Sequence, residues 1–175
     1  MLIKKIAAKI LANQVYRQTQ KWALNPVTTQ KKVFNELIQT AVSTQFGEEH
    51  CFSEIITFSD FASRVPIRDY EALKTYVDKT VQGESDILWP GKPMYFAKTS
   101  GTTSGAKYIP LTKDSLPFHI KAARNAILSY IHETGKTDFI SGKMIFLQGS
   151  PVLEEKNGIQ LGRLSGIVAH YVPKN

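Results

Sequence analysis

Nine consecutive positions, 99–107, concentrate the hydrogen-bonding chemistry of this 175-residue sequence. Thr99, Ser100, Thr102, Thr103 and Ser104 carry hydroxyls, Gly101 and Gly105 interrupt them, and Lys107 closes the run. Glycine lets backbone amides turn toward a bound anion, and hydroxyls donate without adding bulk or negative charge. Each hydrogen bond to a charged phosphate contributes about 1.5–3 kcal/mol, so several aligned donors grip a polyphosphate, with the lysine supplying the positive charge. A Ser/Thr/Gly run also serves as a surface turn without a ligand. The ordered pattern Thr-Ser-Gly-Thr-Thr, then Gly and Lys, is more specific than its composition and favours a phosphate clamp.

Known clamps narrow the choice. A Walker A loop needs Gly-Lys-Ser/Thr opening into a helix, whereas Ala106 precedes this lysine, Tyr108 follows it, and Pro110 argues for extended chain. The kinase and dinucleotide fingerprints need Gly-x-Gly-x-x-Gly, which this loop lacks. The esterase elbow Gly-x-Ser-x-Gly misses by one position.

The elements that must hold the loop follow from periodicity. Residues 94–97 and 108–111 are rich in β-favouring side chains and are predicted to form the two strands of a hairpin around it. Thr112 is placed to cap a long helix with Leu116, Ile120, Ala123, Ile127 and Ile131 inward and Gly135 beyond its end. Pro117 fits only in the first turn of that helix. Upstream, Leu2, Ile3, Ile6, Ala7, Ile10 and Leu11 recur at helical spacing, with Asn25-Pro26 ending that region. A second helix runs from Thr28 or Thr29 to Gly47, and a third from Asp69 to Val81. Downstream, a buried strand is expected over 143–148, a turn at Asn157-Gly158, and a last apolar run over 164–172. Glu154 and Glu155 are expected in a solvated turn.

The loop 99–107 resembles the phosphate-loop signature of adenylate-forming enzymes, the acyl-CoA synthetase and luciferase superfamily. Its ending, Ser104-Gly105-Ala106-Lys107 before Tyr108-Ile109-Pro110, departs from the usual Gly-x-Pro-Lys and is similar to the auxin-responsive Gretchen Hagen family of acyl-acid amido synthetases. Residues 61–66 (FASRVP), 70–73 (YEAL), 83–85 (GES) and 89–96 (WPGKPMYF) agree with that family. The likeness runs from about Trp22 onward and is to a microbial member.

The resemblance implies an α/β fold: a mainly helical region over 1–85, then over 86–175 the start of the mixed sheet of an adenylate-forming large domain, without a second complete domain. It implies activation of a carboxylic acid by ATP and Mg²⁺ to an acyl-adenylate, and attack by an amino acid's amine. Thr99, Ser100, Thr102, Thr103 and Ser104 would bind phosphate oxygens, Gly101 and Gly105 would give backbone freedom, and Lys107 would balance charge. On the following helix Arg124 would meet the acid's carboxylate, with Ala123 and Ile127 lining the acyl pocket. The family's adenine- and ribose-contacting segments and its mobile C-terminal domain have no counterpart among these residues. The expectation is therefore an N-terminal portion, inactive alone.

Composition bounds the alternatives. Hydrophobic content of 42% excludes global disorder, and one cysteine, Cys51, excludes an intrachain disulfide scaffold. No apolar run approaches the ~18–20 residues of a membrane span, so a cytoplasmic protein without membrane contact is expected. The histidines are scattered and no zinc spacing occurs. The net charge of +7 lies in residues 1–35, which hold Lys4, Lys5, Lys9, Arg17, Lys21, Lys31 and Lys32 and no acidic residue. Only Tyr16 and Trp22 interleave with these cations, which argues against nucleic acid. A competing reading is a non-catalytic binding module, a domain relic whose basic helix engages an acidic partner. An exposed sheet edge could also drive self-association.

Overall fold

In the computed structural model the described residues are 2–99, 107–142, 145 and 147–171. The chain divides into two compact units that interleave along the sequence: residues 1–30 with 117–147, and residues 31–116 with 148–175.

In the first unit, helix α1 (Leu2–Ala23) packs Ala12 and Val15 against Leu128 and Ile131 of helix α6 (Leu116–Thr134). Lys5 bonds Asp138, and His132, stacked on Tyr16, bonds Asn13. The apolar stripe that the spacing of α1 shows is not its buried face. Leu2, Ile3, Ile6, Ile10 and Leu11 are exposed, while Ala12 and Val15 are the buried residues and Ala8 packs against their cluster. On α6 itself Leu116, Leu128 and Ile131 are buried, Ile127 is half-buried and Ala123 is exposed. Thr112 caps a turn ahead of the helix, its Oγ1 accepting from the Ser115 N–H at 3.0 Å.

The second unit begins within helix α2 (Pro26–Ala41), which starts earlier than expected because proline is pre-organised for the first helical position. It also ends earlier. Thr44 starts a separate helix α3 (Gln45–Glu49) by accepting the Gly47 N–H at 3.0 Å. Gly47 does not end the second helix; it sits inside α3 where a Cβ would lie 2.0 Å from the Ala41 carbonyl oxygen, an approach only glycine permits. Helix α4 (Phe58–Arg64), absent from the periodicity, is held by a capping box between Thr57 and Asp60. Ile38, Ala41, Phe52 and Ile55 form one core of this unit, flanked by Phe34, Phe46, Phe61 and Trp89.

Helix α5 (Tyr70–Val81) forms as expected, capped by Asp69. It lies on a four-stranded sheet of order β2-β1-β4-β3, made of β1 (Tyr95–Lys98), β2 (Tyr108–Leu111), β3 (Glu154–Lys156) and β4 (Ile159–Gly162). β1 pairs antiparallel with β2 and parallel with β4; β3 and β4 form a hairpin. Val77, Val81, Phe96, Ile159 and Leu161 are the second core. The turn at Asn157-Gly158 is the two-residue kind with both φ positive, and the Asn157 amide donates to the Val81 carbonyl. Glu154 and Glu155 therefore stand on an edge strand, not in a turn, and Glu154 pairs with Lys98 at 2.6 Å. The last apolar run contributes α7 (Leu164–Ala169). The strand expected over 143–148 falls partly outside the described residues; Ile145 and Leu147 are exposed and belong to no strand. Among the described residues, no helix is long and apolar enough to cross a membrane.

The approach to β1 is set by a turn in which Asp86, at φ 59°, accepts the Gly91 N–H at 2.7 Å. That bond, with help from the Ser85 side chain, holds the Asp86 carboxyl below its ordinary value. A depressed folded-state pKa contributes stability above the ordinary aspartate value and loses it as pH falls through the folded one. The stability difference between the native protein and Asp86→Ala should therefore narrow as pH drops below about 4, measured by urea melts; a gap independent of pH contradicts this origin.

Candidate functional site

The loop emerges from the middle of the sheet. Phe96, fully buried, fixes β1 from below, and the β1–β2 ladder runs in register from Tyr95–Leu111 to Lys98–Tyr108. One step further the Thr99 N–H donates to the Lys107 carbonyl at 3.1 Å, so the hairpin is closed up to the two ends of the loop. The structure thus brings Thr99 and Lys107 together across a stem. Ser100, Gly101, Thr102, Thr103, Ser104 and Gly105 lie outside the described residues.

The lysine is positioned by a residue whose role sequence reasoning missed. The Lys107 ammonium sits 5.0 Å from the ring centroid of Tyr70, the first residue of α5. The Tyr70 hydroxyl accepts the Tyr108 N–H at 2.9 Å. One side chain therefore holds both the cation and the first residue of β2. Nothing local marks this pairing in the sequence, because it spans 38 positions; only the run 70–73 in the family resemblance pointed there. Lys156 lies over the Tyr108 ring at 5.5 Å, adding a second cation above β2.

Thr99 is exposed and lines a cleft of about 410 Å³ with Lys98, Ser150, Glu154, Gly162 and Arg163. The cleft opens at the carboxyl ends of β1 and β4, where sheets with parallel neighbours commonly receive ligands. The other expected set, Ala123, Arg124 and Ile127, belongs to the first unit. Arg124 is exposed, its guanidinium donating to Asn125 Oδ1 at 3.1–3.2 Å. Ile127 packs against the α1–α6 core. Among the described residues no cluster of three or more His, Cys, Asp or Glu is placed to hold a metal ion.

Comparison with known proteins bears on these features. The model of the GH3 family N-terminal domain matches residues 15–173. Indole-3-acetic acid-amido synthetase GH3.2 of Arabidopsis thaliana is 27% identical over 94 residues, covering 53% of this chain and 17% of its own length. Indole-3-acetic acid-amido synthetase GH3.15 of the same plant is 34% identical over 82 residues, 45% of this chain and 14% of its own. A solved GH3.15 acyl acid amido synthetase superposes with a TM-score of 0.78 at 19% identity, over 89% of this chain and 28% of that one. A second, AtGH3.15 acyl acid amido synthetase in complex with 2,4-DB, gives 0.73 at 21% identity, over 86% and 26%. The structural likeness carries the mixed α/β fold. The chain spans about a sixth of the length of the curated relatives and about a quarter of the solved ones.

If Tyr70 fixes the loop's exit, Tyr70→Phe removes one hydrogen bond, worth about 1 kcal/mol, while leaving the ring beneath Lys107. Exchange of the Tyr108 amide should accelerate about fivefold. An unchanged rate, read by NMR hydrogen exchange, would show that the bond does not hold the strand end.

Proposed function

The chain belongs to the GH3 family, and on that premise we propose that it carries the phosphate-gripping part of an ATP-dependent ligase. That ligase activates a carboxylic acid as its acyl-adenylate and joins it to an amino acid in the cytoplasm. The support is the relatives' activity as amido synthetases together with one observation: the hydroxyl-rich loop is closed at its stem by the Thr99–Lys107 bond, at the carboxyl end of a buried central strand. On this reading residues 1–175 form part of the large adenylating domain, and the groups that hold adenine and ribose lie outside them.

The chemistry asked of these residues is binding and orientation. ATP is a co-substrate, and its phosphates suit the donor set at the stem: a threonine hydroxyl and an ammonium, with the remaining hydroxyls of the loop between. Thr99, Ser100, Thr102, Thr103 and Ser104 donate to phosphate oxygens, Gly101 and Gly105 let the backbone amides turn inward, and Lys107 leaves the Tyr70 face to balance charge. Donors aimed at the phosphates would stabilise the charge that grows on the departing pyrophosphate. Mg²⁺ commonly binds through phosphate oxygens and one or two carboxylates, so it would arrive on the nucleotide. Arg124 would hold the acid's carboxylate, with Ala123 and Ile127 beside its carbon skeleton.

A second reading, a basic docking module for an acidic partner, is favoured by the exposed Leu2, Ile3, Ile6 and Ile10 among the lysines of α1. Acid-dependent exchange of labelled pyrophosphate into ATP separates the two, run on a polypeptide that joins this chain to the segments its relatives carry beyond it. The ligase reading expects exchange, and a loss of about 100-fold or more in Ser100→Ala/Thr102→Ala. Exchange that survives the double substitution removes the loop from the reaction. No exchange with any carboxylic acid leaves the docking module.

A further inference from the structure

The cleft beside the loop stem has a feature that the loop itself does not use. β1 stands between two neighbours, β2 and β4. Lys107 precedes β2, so it flanks the stem on one side. On the other side the last register pair is Ala97 with Gly162, and the next residues outward on these parallel strands are Lys98 and Arg163. Lys98 is neutralised by Glu154 at 2.6 Å. Arg163 makes no ion pair and no side-chain hydrogen bond among the described residues, although it lines the cleft. Two cations and one carboxylate leave the lining with one surplus positive charge.

The seat of that arginine is closely built. A Cβ on Gly149 would come within 2.9 Å of Arg163 Cδ and 3.2 Å of its Cβ, so the stem lies flat on a glycine backbone. The Gly149 N–H donates to Ser165 Oγ at 2.9 Å, and a Cβ on Gly166 would meet the Ser150 carbonyl oxygen at 2.1 Å. The segment 149–150 is thereby pressed against α7 and the residues that begin it, and side chains are excluded at both contacts. A guanidinium seated this way loses less freedom when it binds, and its planar fork matches a phosphate with two parallel hydrogen bonds.

We propose that this cleft is a second oxyanion subsite, in which Arg163 binds a phosphate group beside the loop stem, opposite Lys107. The proposal rests on the reading that the loop 99–107 grips a nucleotide's phosphates. Phosphate is favoured over carboxylate because Thr99, the first hydroxyl of that loop, lines the same cleft. With neighbouring strands about 4.8 Å apart, the strands bearing Lys107 and Arg163 are about 10 Å apart, on either side of the loop's origin. A polyphosphate lying across the end of β1 meets a cation at each side.

The test is an NMR titration of the whole chain with inorganic pyrophosphate, following the Arg163 side-chain Nε–H and the Thr99 and Gly162 amides. Arg163→Ala should weaken binding about tenfold, and Arg163→Lys, which keeps charge and stem but not the fork, about threefold. The lysine variant also serves if the alanine variant melts early. Unchanged affinity in both Arg163 variants, with loss in Ser100→Ala/Thr102→Ala, overturns the subsite and leaves the loop assignment standing. Loss in the Arg163 variants with none in the double variant keeps the subsite and removes the loop assignment. Displacement of pyrophosphate by equimolar acetate makes the cleft a carboxylate site and overturns the proposal. Absence of any binding up to about 20 mM overturns both.

Discussion

Strand β1 is paired on both of its edges, antiparallel to β2 and parallel to β4, while Phe96 at its centre is buried against α5. This double pairing fixes where the chain leaves the sheet. A four-residue strand with one free edge would let its last residues fray, and a loop hung from it would have no defined origin. Here the ladder runs unbroken to the Thr99–Lys107 bond. The side chain of Phe96 contributes roughly 1.5–3 kcal/mol by its burial, and it does so within two residues of Lys98. The paired part of the hairpin therefore runs as far as Thr99 and Lys107.

Helix α5 links this stem to the rest of its unit. Val77 and Val81 seat it on Phe96, Ile159 and Leu161, so its first residue, Tyr70, stands beside the ends of β2. Asp69 caps the helix and so fixes the position of Tyr70. From the other end, Asn157 in the β3–β4 turn donates to the Val81 carbonyl, so the hairpin that carries β4 is tied to the helix that positions Lys107. Lys107, over Tyr70, and strand β4, which leads to Arg163, are thus tied to one core.

Local signals carried the sequence reading where an element depends on its own residues. The β1–β2 hairpin was legible because β-favouring runs flank a Gly-rich loop, and α5 because Asp69 can cap a helix that runs to Val81. Packing partners were not legible. The stripe of α1 was visible, yet the buried face is the one with Ala12 and Val15, which only their partners Leu128 and Ile131 more than 100 positions away reveal. The join of α2 and α3 was hidden because Gly47 looks like a helix end, whereas its close contact with Ala41 keeps it inside a helix. Strand β3 is three exposed charged residues with no alternation, so Glu154 looked like part of a turn. Tyr70 gave no local signal, since its partner Tyr108 lies 38 positions away; only the family-like run 70–73 pointed to it.

The central claim is that the segment between Thr99 and Lys107 closes around the phosphates of a nucleotide. Hydrogen–deuterium exchange of this chain joined to the segments its relatives carry beyond it, with and without MgATP, tests it most directly. Peptides covering 95–111 should gain protection on adding nucleotide, while those covering α4 keep their rates. Protection that appears elsewhere and leaves 95–111 unchanged contradicts the account.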